Sequence, residues 1–281
     1  MDKRILTIQD ISFVGQCSLT VALPIISAFG IETAVLPSSV LSTHTAGFSG
    51  YTFRDLTDDM PLILNHWKKE GLKFDAFYTG YVSKSQIPII LDIMNQVGSE
   101  DSIRIVDPVM GDNGKLYPGF DEDFPSEMAK LCKGATIILP NLTEASYMLG
   151  IPYVGDNKDS SDYDKPYIET LLKKLLTLGC KKVVLTGVSF EKGKLGCACY
   201  DGKDIEYYFN DRLDAQMHGT GDVFASSFTG SICKGYSLLQ ATKLASDFVV
   251  ESMKKTLGDK NHWYGVKFEK ALPWLIGQIE K

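Results

Sequence analysis

Short apolar runs alternate along this chain with longer stretches whose apolar residues recur at helical spacing, and this alternation restricts the fold more than any other feature. The strand-like runs are Arg4–Gln9, Thr33–Pro37, Ala76–Thr79, Ile103–Val106, Ala135–Leu139 and Val183–Thr186. Between them lie helical patterns at Leu19–Phe29, Pro61–Glu70, with Ile63, Leu64 and Trp67 on one face, and Ile87–Val97. Apolar residues every second position mark a strand, and every third or fourth a helix. Strand–helix–strand units close as right-handed parallel pairs with the helix on a sheet face. The expected fold is therefore α/β: a three-layer sandwich with a mostly parallel central sheet flanked by helices. Lys194–Tyr200 and Ile205–Phe209 flank Asp201-Gly202, which predicts an antiparallel hairpin. Helices over Asp222–Lys234, Leu238–Thr256 and Phe268–Ile279 are expected to close the chain. No internal repeat or second-domain marker is present, so residues 1–281 are read as a single domain.

Composition narrows the class. The apolar fraction is 44% and the charged fraction 23%, ordinary for a globular protein, and no apolar run approaches a bilayer-spanning length. A net charge of −6 argues against nucleic acid as a partner and places any phosphate recognition on local dipoles and a metal. The cysteines at 17, 132, 180, 197, 199 and 233 form no Cys-x-x-Cys pair, which fits a reducing compartment. Cys197 and Cys199 would share one strand face without further metal-ligating partners nearby. Met1–Ile8 runs straight into a strand pattern and shows no signal-peptide stretch, so a cytoplasmic protein without membrane association is expected. The polar stretch Gly155–Lys165 reads as a solvated connection.

Chemistry is sought where parallel strands end, because ligands of such sheets bind beyond the carboxyl ends of the strands. Three segments stand there. After Ile103–Val106 comes Asp107-Pro108-Val109-Met110-Gly111-Asp112, two carboxylates in a glycine-containing loop suited to a hard cation such as Mg2+, or to a turn using Asp and Gly for their geometry. After the next strand, Pro140-Asn141-Leu142-Thr143-Glu144 sets an amide and a carboxylate three residues apart, a spacing that serves a metal's water shell or a helix cap. Finally, His218-Gly219-Thr220-Gly221-Asp222 brackets a turn with glycines at the start of a small-residue helix, where backbone N–H groups converge on an anion. Asp222 beside that anion suggests a base for a substrate hydroxyl; helix capping is the structural alternative. Metal, oxyanion donors and a hydroxyl-orienting carboxylate together point to phosphoryl transfer. Lys115, in the loop after Asp112, is either a phosphate-facing residue or an exposed lysine.

In this order, Asp107–Asp112, Pro140–Glu144 and Gly219–Asp222 resemble the signature segments of the ribokinase-like superfamily, in its vitamin-kinase branch. Within it, Ile8–Gly15, Leu41–Phe48 and Thr79-Gly80-Tyr81 resemble pyridoxal (pyridoxine, pyridoxamine) kinases. The resemblance runs from the first strand to the last helices. It implies ATP-dependent phosphorylation of the 5′-hydroxymethyl group of a B6 vitamer, usually by a homodimer. By matching positions it implies Asp222 as base and Gly219, Thr220 and Gly221 as the anion hole. Asp107, Asn141, Glu144 and Thr186 would bind the nucleotide, with Asp107 and Glu144 at Mg2+, while Thr45, His44, Tyr81 and Asp10 would face the vitamer. A K+ requirement beside Mg2+ is left open, and the region Lys255–Val266 is expected to border the nucleotide.

Two departures qualify the match. Many pyridoxal kinases carry Ser where this chain has Asp10, and a small or hydroxyl residue where it has Leu139. A carboxylate at position 10 can pair with a protonated ring nitrogen or amine, so vitamer preference would differ. Hydroxymethylpyrimidine kinase is the nearest rival; many of its members have Cys where Asp222 stands. A sugar kinase is a lesser alternative: an Asp near position 10 holds sugar hydroxyls in that branch, but Gly15-Gln16-Cys17-Ser18 replaces its usual Gly-Gly pattern, and a non-catalytic vitamer carrier would not need every acid group retained. No Gly-x-Gly-x-x-Gly follows the first strand, against a Rossmann dehydrogenase. At a helix N-terminus, Asp222 is expected to hold an ordinary or depressed pKa.

Overall fold

The computed structural model describes residues 3–157, 160–161 and 163–279. In chain order the elements are β1 (Arg4–Ser12), α1 (Leu19–Ala28), β2 (Glu32–Leu41), β3 (Phe53–Asp55), α2 (Met60–Lys69), β4 (Phe74–Thr79), α3 (Ile87–Val97) and β5 (Gly98–Val106). There follow β6 (Gly111–Asp112), β7 (Lys115–Leu116), α4 (Phe124–Cys132), β8 (Ile137–Ile138), α5 (Leu142–Leu149), β9 (Asp156–Asn157), β10 (Ser160–Ser161) and α6 (Lys165–Leu176). The chain ends with β11 (Lys182–Val188), β12 (Lys194–Tyr200), β13 (Ile205–Asp211), α7 (Thr220–Cys233), α8 (Leu238–Thr256) and α9 (Leu272–Ile279). Two compact units result: residues 1–103 with 214–281, and residues 104–213.

In the first unit β1 lies between β2 and β4, parallel to both. A strand with parallel neighbours and covered faces is mostly apolar, and Ile5, Leu6 and Ile8 are fully buried. Thr7 and Gln9 are also fully buried, and there the Gln9 amide donates to the Thr7 hydroxyl at 2.8 Å. The short β3 runs antiparallel to β2. Helix α3 starts with a proline in its first turn, where the missing N–H is not needed, and buries Ile87, Ile90, Ile93, Met94 and Val97. Helix α8 opens with a capping box in which Ser237 and Gln240 satisfy each other's backbone N–H.

In the second unit the end of β5 pairs in parallel with β8, and β8 with β11. The hairpin β11–β12–β13 then continues antiparallel, with Asp201 and Gly202 in the turn between β12 and β13. Cys197 and Cys199 both lie buried on β12. Helix α6, whose Asp164 caps it by accepting from the Tyr167 N–H at 2.9 Å, buries Ile168, Leu171, Leu172 and Leu175. Both units are thus α/β: the first has mostly parallel strands, as the alternation predicts, and the second joins the parallel strands β5, β8 and β11 to the antiparallel β12 and β13.

Two differences from the sequence expectation have physical causes. The expected helix Phe268–Ile279 is broken into a 3-10 turn at Phe268–Lys270 and α9. Pro273 has no N–H for the Glu269 carbonyl, so the helical ladder is interrupted there and α9 starts with the proline in its first turn. The polar stretch 155–165 carries the short antiparallel ladder β9–β10; residues 158, 159 and 162 of it lie outside the described residues.

Candidate active site

The first unit gathers a pair of carboxylates around the ends of β1 and α7. The β1–β2 register shifts between Gln9 and Ile11, an irregularity of the kind that re-aims one side chain, and Asp10 stands there, 5% exposed. The Ser12 hydroxyl donates to Asp10 Oδ2 at 2.9 Å. Burial raises the Asp10 pKa, and hydroxyls of Ser18 and Ser12 directed at the carboxylate oppose that rise.

Across from it, Gly219 takes the left-handed conformation, φ 79°, and forms the N-cap of α7. Its Val223 partner donates back to the Gly219 carbonyl at 3.0 Å. A side chain at 219 would collide with the Gln16 carbonyl, so conformation and space both demand glycine. Thr220 and Gly221 are the first helical residues and Asp222 lies in the first turn, half-buried. Capping is therefore done by Gly219, not by Asp222. The Asp222 pKa is pushed up to about 7, first by lost solvation and then by the Asp10 charge, against the Ser18 N–H that favours its ionised form. This corrects the expectation of an ordinary or depressed carboxylate: at this position burial outweighs the helix terminus.

Ser18 joins the two acids. It is a non-glycine residue at φ 55° and ψ −133°, buried, and its carbonyl starts α1 by accepting from Val21 and Ala22. Its hydroxyl makes no capping bond. Burial, then Asp222 and Asp10, hold the neighbouring Cys17 thiol well above its usual range. Tyr81, just after β4, is half-buried; burial raises its hydroxyl pKa first, and Asp10, Tyr51 and Asp55 add to it. Thr45 is exposed, whereas His44 beside it is 4% exposed with both ring nitrogens engaged by backbone groups.

The second unit holds the acidic group. Asp107 follows β5 and is 8% exposed. Asn141 and Glu144 form a reciprocal capping box at the start of α5: Asn141 Oδ1 accepts from the Glu144 N–H at 2.9 Å, and Glu144 Oε2 from the Asn141 N–H at 2.8 Å. Glu144 Oε1 also accepts from the Met110 N–H at 3.2 Å, and the Asn141 amide donates to the Gly111 carbonyl at 2.8 Å. The Gly114 N–H donates to the Thr143 hydroxyl at 2.9 Å. The glycine loop after β5 is thereby fastened to the first turn of α5. Thr186 on β11 bridges in parallel to Asn141, its N–H donating to the Pro140 carbonyl at 2.9 Å. Lys115 is exposed on β7. Burial pushes the Glu144 pKa up to about 8, opposed by the N–H groups of Asn141, Met110 and Gly111, while nearby Asp112 adds to the rise.

Sequence reading named Asp10, Asp222 and Tyr81, which the first unit assembles with electrostatic contact between them. It missed Ser12 and Ser18. Ser12 was within reach, since two residues along a strand share a face with Asp10; Ser18 was not, because only its backbone conformation turns it toward both acids. Whether the chain could hold Mg2+ depends on the donor set. Among the described residues no three His, Cys, Asp or Glu side chains converge to cage a metal. Both oxygens of Glu144 already accept N–H bonds, so the residues fit a cation that keeps water and takes its other oxygens from phosphate.

Comparison with known proteins identifies the family. The sequence profile of the phosphomethylpyrimidine kinase family matches residues 67–266. A Bacteroides thetaiotaomicron protein assigned as a phosphomethylpyrimidine kinase, crystallised with pyridoxal, is 38% identical, covering 98% of this chain and 96% of that one, with a TM-score of 0.89. Pyridoxal kinase from Lactobacillus plantarum is 32% identical over 99% of this chain and 98% of its own, with a TM-score of 0.90. Pyridoxine kinase from Bacillus subtilis is 28% identical over 210 residues, 72% of each chain. The α/β architecture is that of the ribokinase-like kinases. This chain belongs to the phosphomethylpyrimidine kinase family, alongside the pyridoxal and pyridoxine kinases it resembles.

Proposed function

We propose that this protein is a pyridoxal kinase, transferring the γ-phosphoryl group of ATP to the 5′-hydroxymethyl group of pyridoxal, pyridoxamine or pyridoxine to give pyridoxal 5′-phosphate or its analogues. The observation that carries the reading is Asp222: a carboxylate in the first turn of α7, behind a left-handed glycine, with a pKa near neutrality and a second carboxylate, Asp10, beside it. A base is most effective when its pKa lies near the working pH. The alcohol oxygen forms the new P–O bond while the bond from the γ-phosphorus to the β–γ bridging oxygen breaks, ADP leaves, and the hydroxyl proton passes to Asp222. Because the transition state is loose, Asp222 orients the hydroxyl and accepts its proton late. N–H groups of the Gly219–Gly221 turn would receive charge on the transferring group. Tyr81 would stack on the vitamer ring, with Thr45 at its edge, and Asp10 would pair with the ring nitrogen.

In the second unit, Asp107, Asn141, Glu144 and Thr186 would bind the nucleotide. Mg2+ would be held by Asp107 and Glu144 through water and would neutralise phosphate charge. The pyridoxal bound in the Bacteroides relative supports the choice of acceptor. Hydroxymethylpyrimidine is the competing acceptor, because the matching family profile is that of phosphomethylpyrimidine kinases. We further read the protein as a cytoplasmic homodimer. No described helix is long and apolar enough to cross a membrane, and the six cysteines are free thiols.

Coupled ADP release with Mg-ATP tests the reading, offering pyridoxal, pyridoxamine, pyridoxine, hydroxymethylpyrimidine and ribose separately, with and without K+. Turnover on a B6 vitamer that disappears in Asp222→Ala is expected. Turnover confined to the pyrimidine would move the protein to the thiamin branch.

A further inference from the structure

His44 lies on the loop that follows β2, beside the exposed Thr45, yet its ring is turned inward and only 4% exposed. Its Nδ1 accepts the Ala46 N–H at 3.1 Å, so that nitrogen carries no hydrogen. Nε2, 2.7 Å from the Tyr264 carbonyl, must then be the protonated one, because a carbonyl can only accept. One tautomer satisfies both contacts, and no ring nitrogen remains for a ligand.

The ring also meets segments distant in sequence. The His44 backbone N–H donates to the Val14 carbonyl at 3.2 Å, and a side chain at Gly15 would run into the imidazole. Phe48 packs edge-on at 5.0 Å between centroids, and the His218 ring lies 5.6 Å away. His218 precedes the Gly219 turn, and its carbonyl accepts from Val266 at 3.2 Å. A single buried imidazole therefore touches the loop after β1, the loop bearing Thr45, the residue before the glycine turn, and the 262–266 segment. We infer that His44 is a positioning residue, locked with hydrogen on Nε2, that fastens the Thr45 loop to Tyr264 and so sets that loop against the Gly219 turn without touching the vitamer. Its kinetic consequence rests on the kinase reading above; its tautomer and its insulation from ligand do not.

Side-chain geometry suggests the discriminating variants. In His44→Gln the amide nitrogen reaches about as far as Nε2 and can still donate to Tyr264, whereas in His44→Asn the shorter side chain replaces only the Nδ1 acceptor. His44→Ala and His44→Asn are expected to lose about tenfold in kcat/KM for the vitamer with the KM for ATP unchanged, while His44→Gln recovers most of it. Equal losses in Gln and Asn variants overturn the inference, and this pair remains informative if the Ala variant does not fold. Nitrogen-15 NMR of the wild-type imidazoles gives a readout independent of turnover. A protonated Nε2 and bare Nδ1 at His44, unmoved by saturating pyridoxal, are expected; the other tautomer, or direct perturbation of either nitrogen by pyridoxal, overturns the inference. Should the wild type phosphorylate no vitamer, the kinase reading fails while the NMR result still decides the state of His44.

Discussion

Asp222 and Asp10 show how burial and a neighbouring charge together shift a carboxylate. Asp222 is lifted to about 7 by lost solvation and by the Asp10 charge. Its ionised fraction therefore grows as pH rises through 7, and kcat/KM for the vitamer should rise along an acid limb with a midpoint near 7. Replacing Asp10 by Asn removes a like charge, so the Asp222 pKa should fall and the limb should move to lower pH. A limb that stays in place in Asp10→Asn would show that Asp10 exerts no electrostatic effect on the base. Asp222→Ala should reduce kcat by about 10²–10⁴-fold, the range for a general base, with smaller change in vitamer affinity. Stopped and steady-state pH profiles on the three proteins check both statements. Asp222 was legible in the sequence because Gly-Thr-Gly-Asp is a local pattern, whereas Asp10 was reached only through the resemblance of Ile8–Gly15. The pKa of Asp222 was not legible. It depends on how much solvent the fold removes and on a carboxylate brought in from the far end of the chain.

Helix α5 shows what a buried capping box does to the carboxyl that completes it. Its N-terminus is closed by the Asn141–Glu144 capping box, and Glu144 also anchors the Met110 N–H. Sequence spacing left capping and cation binding as alternatives; the capping geometry is present, and it leaves room for the other only through water. The cost of this arrangement is a buried carboxyl with a pKa near 8, against 4.5 when unfolded. Between those values the folded state binds more protons at Glu144 than the unfolded state, so this residue makes stability fall as pH rises through that window. Stability contributed by the neutral form is fully present below about 4.5 and is lost as pH approaches 8. Glu144→Gln should flatten that slope while losing one N–H acceptor, and Asn141→Ala should cost about 1 kcal/mol of cap stability at every pH. Urea midpoints at pH 5 and pH 8.5 for the three proteins provide the comparison; an unchanged slope in Glu144→Gln would mean that the carboxyl titrates normally. Other elements were readable for similar local reasons. Helices α3 and α8 have the bounds that their apolar period predicts, and the Asp201-Gly202 hairpin lies where its turn residues place it. Helix α6 and the break before α9 were not read, the former because its polar flank masked the apolar stripe, the latter because Pro273 lies inside an otherwise continuous helical pattern.

At the scale of the whole molecule, the expectation of one domain becomes a prediction about cooperativity. Residues 104–213 form a compact unit inserted between the two segments of the other, and β5 runs through the boundary at 103–104. The first unit can assemble only if its segments 1–103 and 214–281 meet, with the inserted chain closing the loop between them. An unfolded loop on the order of 100 residues costs about 4 kcal/mol in closure entropy, comparable to much of a domain's net stability. Folding of the insert removes a large part of that cost, which couples the two units through the connectivity of the chain. Differential scanning calorimetry should therefore give a single transition whose calorimetric and van't Hoff enthalpies agree. A binding-competent ligand should raise that one transition as a whole, since ligand held by the native state stabilises everything that unfolds with it. Mg-ADP is the ligand to use, because four of the residues proposed to bind the nucleotide, Asp107, Asn141, Glu144 and Thr186, lie in residues 104–213, and it lacks the phosphoryl group proposed for the Gly219–Gly221 turn. If it shifted only part of the heat absorption, or if two transitions were resolved without it, residues 1–281 would be two domains that fold separately. A joint shift would instead mean that occupation of the nucleotide residues also stabilises the unit carrying Asp10 and Asp222.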